Sequence, residues 1–557
     1  MSAQAVPRPR GGLARATAVM AGGTLVSRVL GLLSRSILVA LLGTAAANAG
    51  ANTFDVANKL PNLIYALVAG GALNAVLVPQ IVRADRDGER GREFLDRLFT
   101  MTTVALLVLS IGLTFAARPL VLLYTEDWRA EDLDLAVAFA WWCIPQLFFY
   151  GIYTLFGQLL NARGSFGPYT WAPVLNNVVA IAGLVAFFVA FGPQPFTDAR
   201  DWTPTMVALL AGSASLGVAA QAAILVVPLR RIGFRWTPRW GLRGVGFRTA
   251  GTVAAWTFAG VVVGQLVFLL VSNVSTAAKG RTEGTALAEV TASGPAWTNA
   301  FLLYMLPHGL LAVSLVTAVF TQVSGSASRG DRAAVAEQTG RMMRVLLVGV
   351  TLPAAGLVLF GEPIAALLFG QTGEQAAVVG DVAAALAIGL PFFSVLYLVR
   401  RVFYAFEDGR TPFQVTVVTS GTWAVGIVVA YLALPVQLWV VGIALAMSAG
   451  ELAGLVAATA LLQRRIGDLA VHSWVWVLAR LLMVLAVVGP LAVLAGDAAG
   501  GVGSRLDGGQ AVLAGGTVLV LGYLVGTRLL RVRETRELVS AVTSRFGRAG
   551  GRASSRG

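Results

Sequence analysis

Residues 144–170 read IPQLFFYGIYTLFGQLLNARGSFGPYT, and residues 390–416 read LPFFSVLYLVRRVFYAFEDGRTPFQVT. Both open on a proline at the head of an apolar run, break at a polar turn, and enter a second run. Pro145 answers Pro391 at a separation of 246, and Gly164 answers Gly409 at 245. A second pair carries the same offset. LPNLIYALVAGGALNAVLVPQ, from Leu60, is echoed by LPHGLLAVSLVTAVFTQ, from Leu306, and Pro61 to Pro307 is again 246. One offset recurring at two separate places marks an internal duplication.

The runs around these stretches are long enough to cross a bilayer, which takes about 20 apolar residues. Fourteen can be traced: 17–42, 54–82, 98–123, 134–160, 169–192, 204–229, 249–273, 296–322, 342–361, 378–403, 413–434, 436–463, 474–496 and 510–530. They are continuous rather than alternating, which predicts helices and not a transmembrane barrel. Six spans separate the paired elements. An even number keeps their orientation, so the copies are parallel repeats about an axis along the membrane normal. The expected fold is an all-α polytopic membrane protein. It has two six-helix lobes, 17–229 and 249–463, around a central cavity. A linker at 230–248 joins them, and two extra helices lie within 464–530. Short ends at 1–16 and 531–557 complete the chain.

Composition agrees. The chain has 557 residues, 57% of them hydrophobic and 13% charged, with a mean hydropathy of +0.75; a soluble protein of this length could not build a polar shell from it. The formal net charge of +14 is a matter of topology rather than of nucleic-acid binding. One alternating set of segments, containing both ends of the chain, holds 32 of the 42 Lys and Arg, and the other set holds 6. The positive-inside rule therefore places both termini in the cytoplasm. The basic N-terminus precedes an apolar segment too long for a signal peptide, which reads as the first span. The single cysteine, Cys143, excludes intramolecular disulfides and thiol clusters, and reads as a small buried hydrophobe.

Enzyme signatures are missing: no HExxH, GxSxG or Walker loop occurs, and no metal site or cofactor is expected. Without an ATP-binding domain, any transport runs on an ion gradient, the membrane potential or the substrate's own gradient. Ionisable residues inside spans are the functional candidates, because hydrocarbon penalises them. Arg28 and Arg35, in VSRVLGLLSRSIL (26–38), lie seven residues apart, about two turns and roughly 10 Å along one helix face. Ser27 and Ser34 repeat that spacing. Snorkelling suits an arginine near a span end, but both cannot reach the same interface. At least one is expected to face a water-filled cavity. Asp55 and Lys59 are spaced i,i+4 and form either an intrahelical ion pair or part of a substrate site. Asn58, Asn62 and Asn74 extend the polar character of that helix, and Gly70–Gly71 permits bending. Glu451 and Asp408 are the candidate ion-coupling acids. His308, after Pro307, reads as a polar residue in a packed helix.

SRVLGLLSR, NTFDVANKLPNLIYALVAGGALNAVLVPQ and GQLLNARGSFGPYTWAPVLNN together resemble the MurJ/MviN family. These are lipid II flippases of bacterial cell-wall synthesis, within the multidrug/oligosaccharidyl-lipid/polysaccharide exporter superfamily. The flavour is actinobacterial, and the resemblance spans essentially all fourteen runs. It implies a multi-pass plasma-membrane flippase rather than an enzyme, moving lipid II outward by alternating access. It also implies a cationic cavity from spans 1, 2, 7 and 8, and a groove from spans 13 and 14 for the polyprenyl tail. Arg28 and Arg35 fall on the family's two span 1 arginines and would hold the pyrophosphate, which suits bidentate guanidinium chemistry. Asn52, Asp55, Lys59 and Asn62 complete the expected substrate site. Membrane lipids and cell-wall synthesis or division proteins are the other expected partners; nucleic acid is not.

The chain departs from the family pattern in places. Tyr65 and Ala66 stand where many members have Arg after LPNL. Gly70 replaces an acid, Leu302 the span 8 arginine, and Asn52 an aspartate, with Asp55 one turn on. Lys59 restores part of the lost charge. Span 7 has no carboxylate for a sodium site. A carrier for another polyprenyl-linked saccharide is the alternative, and a multidrug/cation antiporter of the same superfamily fits less well.

Overall fold

Continuous apolar runs must satisfy every backbone amide within themselves in lipid, and helices do this. A computed structural model, which describes residues 10–68, 88–192, 197–241 and 252–538, is helical almost throughout. The elements in chain order are α1 (Arg10–Leu42), α2 (Ala49–Val68), α3 (Gly88–Phe115), α4 (Ala117–Tyr124), α5 (Ala130–Cys143), α6 (Gln146–Ala162), α7 (Phe166–Phe191), α8 (Pro204–Ala223) and α9 (Val226–Arg231). There follow α10 (Thr252–Thr282), α11 (Gly294–Pro307), α12 (Val313–Ser328), α13 (Arg332–Phe369), α14 (Glu374–Ala405), α15 (Arg410–Ala433), α16 (Trp439–Ile466), α17 (Val471–Ala499) and α18 (Arg505–Leu529). A π-helical turn, His308–Ala312, joins α11 to α12.

Thirteen helical segments among the described residues are long and apolar enough to cross a membrane, and each falls on one of the fourteen runs. The remaining run, 54–82, begins in α2; beyond residue 68, with Gly70, Gly71 and Asn74, it lies outside the described residues. So do the chain ends, 1–9 and 539–557, and residues 242–251, which take in the last part of the linker. Cys143 is buried and free, as its setting in AWWCIPQLFF implies.

Local chemistry sets the helix ends. The Thr203 hydroxyl accepts from the Met206 N–H at 3.3 Å, and Pro204 occupies the first helical position of α8. Asp331 caps α13 through the Ala334 N–H at 3.0 Å, and Gly370, at φ +69°, ends it. The two quoted stretches each fold as a helix, a short turn and a second helix: α6, residues 163–165 and α7, and later α14, residues 406–409 and α15.

The chain divides into two compact units. The first comprises Met1–Gly43 and Asn48–Val261; the second comprises Thr44–Ala47 and Val262–Gly557. In the first, Phe54, Phe139, Phe187 and Trp202 form one aromatic core. Helix α1 lies along α7 through small residues. A Cβ at Gly23 would strike the Trp171 ring at 2.8 Å, and Gly31 faces the Asn177 carboxamide. Such close approach is how helices pack in lipid, where apolar burial alone gives no driving force. In the second unit α13, α14 and α16 bury long apolar faces. Its residue Ala45 pairs antiparallel with Ala292, the isolated bridge of the described residues.

Candidate functional site

Helices α1 and α2 bring the charged candidates of the first unit together around one carboxylate. Asp55 is buried. Arg35 Nη2 donates to its Oδ1 at 3.4 Å, and Lys59 Nζ donates to its Oδ2. The i,i+4 pair expected from sequence is therefore formed, and Arg35 joins it from the neighbouring helix. Arg35 uses Asp55 rather than snorkelling. Two cations share one anion, so the cluster keeps one net positive charge.

The other residues named from sequence lie on the same two helices. Asn52, one turn before Asp55, is buried and donates from Nδ2 to the Asn48 carbonyl at 2.8 Å. Asn62 lies three residues beyond Lys59 and is exposed. Arg28 is half-buried, two turns from Arg35, and forms no ion pair among the described residues. Arg35 also borders a cavity of about 170 Å³ inside the first unit, together with Ser34, Asn58, Gln146, Asn176 and Asn177. The last three are neutral and were not singled out by a search for charges in spans.

In the second unit Glu451 sits near the middle of α16 and is buried, and its Oε2 has no hydrogen-bond partner among the described residues. Arg400 of α14 is near enough to act on it electrostatically, and Glu451 in turn acts on Tyr304 of α11. Arg400 Nη2 donates to Thr419 Oγ1 at 3.3 Å. Thr419 in turn packs between Gly450 and Gly454, either side of Glu451; a Cβ at Gly454 would come within 2.0 Å of that hydroxyl. Burying a carboxyl in a span without an ion pair is costly. Sequence reading reached Glu451 but did not single out Arg400, near the end of the run 378–403. Nearby, His308 is buried at the π-helical turn with its Nδ1 3.1 Å from Ser394 Oγ. Extra turns of this kind recur at functional positions.

Asp408 lies in the turn between α14 and α15, outside the spans, as the gap between the runs 378–403 and 413–434 implies. Its oxygens accept from the Thr411 N–H at 3.0 Å, the Thr411 hydroxyl at 2.8 Å, and Arg465. Burial pushes its carboxyl up, but those three donors outweigh burial and hold it below the ordinary carboxylate range. Stability from this turn is therefore present above the ordinary carboxylate pKa and lost as pH falls through the depressed value. Asp408 fastens this corner through Thr411 and Arg465. No group of His, Cys, Asp and Glu among the described residues could hold a metal ion.

A family model described as lipid II flippase MurJ matches residues 38–501. A probable lipid II flippase MurJ of Rhizobium tropici is 28% identical over 480 residues, covering 82% of each chain. The lipid II flippase MurJ of Burkholderia cenocepacia is 28% identical over 416 residues, 73% of this chain and 76% of that one. Among solved structures, a lipid II flippase MurJ in an inward closed conformation matches with a TM-score of 0.69 at 17% identity, covering 92% of this chain and 99% of its own. An inward-facing multidrug resistance MATE family transporter of the MOP superfamily matches at 0.62 and 14%, covering 79% and 95%. At such identities the likeness to solved structures speaks for the fold.

Proposed function

The chain belongs to the lipid II flippase MurJ family, and from that premise we propose that it moves lipid II from the inner to the outer leaflet of the bacterial plasma membrane by alternating access. The match over residues 38–501 carries this reading. The geometry of the first unit supports it: a net-positive cluster at Arg35, Asp55 and Lys59, with Arg28 two turns away, suits a pyrophosphate. The antiporter reading is weaker, because the buried acid of α2 is already held by two cations.

A second reading has a specific observation behind it. Tyr65, Gly70 and Leu302 stand where family members carry charge, so the substrate could be another polyprenyl-linked saccharide. Depleting the protein in its host and identifying the lipid-linked intermediate that accumulates in the inner leaflet separates the two. Accumulating lipid II is expected. Another polyprenyl-linked saccharide building up, with lipid II unchanged, overturns the first reading.

We also propose that both termini are cytoplasmic, from the 32-to-6 division of basic residues. Single cysteines placed at Glu126 and Thr285 should react with an impermeant maleimide from outside, and those at Gly88 and Trp240 only after the membrane is opened. Buried Cys143 leaves a low background. The reverse pattern would invert both the topology and the direction of transport.

A further inference from the structure

A second cavity of the first unit lies where α6, α9 and the residues after α9 meet. Its volume is about 600 Å³, within the roughly 300–1,000 Å³ of sites that take small molecules. Phe156 of α6, Val226 and Leu229 of α9, and Phe234 and Trp236 beyond it give the cavity apolar walls. Arg230 and Arg235 supply the rest of the lining, and no carboxylate borders it among the described residues. Leu229 and Phe234 are buried, whereas both arginines are exposed. The site is therefore apolar within and cationic at its mouth.

The chain after α9 is fastened in place. Gly233, at φ +78°, ends the helix, and the Phe234 N–H donates back to the Leu229 carbonyl at 3.1 Å. Arg163 donates from Nη1 to the Ile232 carbonyl at 3.4 Å and lies over the Phe234 ring. Phe234 and Trp236 both pack on Phe99 of α3. Asp96 of α3 accepts from the Thr237 N–H at 3.1 Å and from the Thr237 hydroxyl. Thr100 Oγ1 accepts from Trp236 Nε1 at 3.1 Å and from the Arg239 N–H at 3.0 Å. The nearby acids are thereby engaged, since Asp96 holds Thr237 and Glu93 pairs with Arg97 and Arg239. Arg230 and Arg235 form no ion pair among the described residues. Two cations on a fixed backbone are left without a counter-charge beside an apolar hollow.

Depth in the membrane decides what chemistry suits this hollow. Helices α8 and α9 run on as one membrane-crossing segment that ends at Arg231. Arg230 thus stands at the headgroup level, and Val226, one turn earlier, lies toward the acyl chains. Trp236 and the exposed Trp240 follow the end of the span, the level at which tryptophans gather. A soluble anion has no use for the apolar walls, and a purely apolar ligand has none for the arginines. An amphiphile with an anionic head satisfies both. A zwitterionic head would bring its own ammonium against the two guanidiniums.

We propose that this cavity binds an anionic phospholipid of the surrounding bilayer, with its phosphate held by Arg230 and Arg235 and an acyl chain laid over Phe156, Val226 and Leu229. Basic pockets at the cytoplasmic ends of spans select such lipids, and the topology proposed above puts residues 230–248 on that side. The phosphate accepts charge-assisted hydrogen bonds from two guanidiniums. The site shares no lining residue with the cavity at Arg35 and does not rest on the flippase reading. It ties the end of the first repeat to the negative charge of the inner leaflet.

The test is native mass spectrometry of the full chain in detergent, titrated with dioleoyl phosphatidylglycerol or dioleoyl phosphatidylcholine. The first phosphatidylglycerol is expected to bind more tightly than the first phosphatidylcholine by about tenfold or more. The double variant Arg230→Gln/Arg235→Gln changes exposed side chains only and should bring phosphatidylglycerol down to the phosphatidylcholine level. Arg235→Gln alone should fall between, and stands in if the pair misfolds. Glycerol 3-phosphate carries the headgroup chemistry without the chains and should not displace the lipid even in large excess. Equal binding of the two lipids, or unchanged phosphatidylglycerol binding in the variants, overturns the site. Displacement by glycerol 3-phosphate overturns it too, and would mark a site for soluble phosphates instead.

Discussion

Asp55→Ala is expected to strip most of the folded protein from the membrane. The carboxylate is the shared counter-charge of Arg35 and Lys59, and only 5% of its side chain is exposed. Its removal leaves two cations facing each other across the α1–α2 contact in a poorly hydrated setting. Breaking a buried ion pair from one side costs about 3–5 kcal/mol, and here both cations lose the same anion. Arg35→Ala and Lys59→Ala should each be milder, because Asp55 keeps one partner in either variant. Fluorescence-detected size exclusion and thermal unfolding in detergent, run on the three variants together, measure this. Asp55→Ala should show the largest loss of monodisperse protein and the lowest unfolding temperature. Parental levels and unfolding temperature in Asp55→Ala would show that the cluster does not hold these helices, and that its charges are available to substrate.

The contrast between these residues also shows what a sequence can and cannot reveal. Spans were legible because lipid forces long continuous apolar helices, and thirteen of the fourteen runs coincide with such helices. The Asp55–Lys59 pair was legible because i,i+4 spacing on one helix is local. The bond from Arg35 to Asp55 was not, since it joins two helices and spans 20 residues of sequence. Gln146, Asn176 and Asn177 were passed over because carboxamides were weighed only on the second span, beside its charges, although three of them inside other apolar runs are the signal that finds the cavity. Arg400 was missed for a different reason. It lies at the end of the run 378–403, where a charge reads as the edge of a span, whereas α14 continues to Ala405 and the guanidinium donates to Thr419. Asp408, five residues beyond 403, shows the opposite outcome, an acid drawn into a corner by Thr411 and Arg465. Hydropathy fixes where helices run, but partners across helices decide what a polar residue does.

Arg28→Ala is expected to abolish growth in a strain that depends on this protein, while leaving its level in the membrane near normal. Arg28 and Arg35 share a helix face, but their surroundings separate their roles. Arg35 has Asp55 as counter-charge, whereas Arg28 forms no ion pair among the described residues. Guanidinium charge left uncompensated within a span is costly unless water or an anionic ligand meets it. A pyrophosphate does so through paired, charge-assisted hydrogen bonds worth about 1.5–3 kcal/mol each. Loss of the side chain should therefore weaken lipid II binding at least tenfold and cost little stability, the reverse of Asp55→Ala. Arg28→Lys should fall between, because an ammonium keeps the charge but not the planar fork. Complementation at native expression, immunoblots of the membrane fraction and binding of lipid II to the purified variants make the measurement. Growth of the Arg28→Ala strain like the parent's would remove Arg28 from the headgroup site. Loss of the protein itself would assign the arginine to helix packing, and the positive charge of α1 would then serve the fold rather than the substrate.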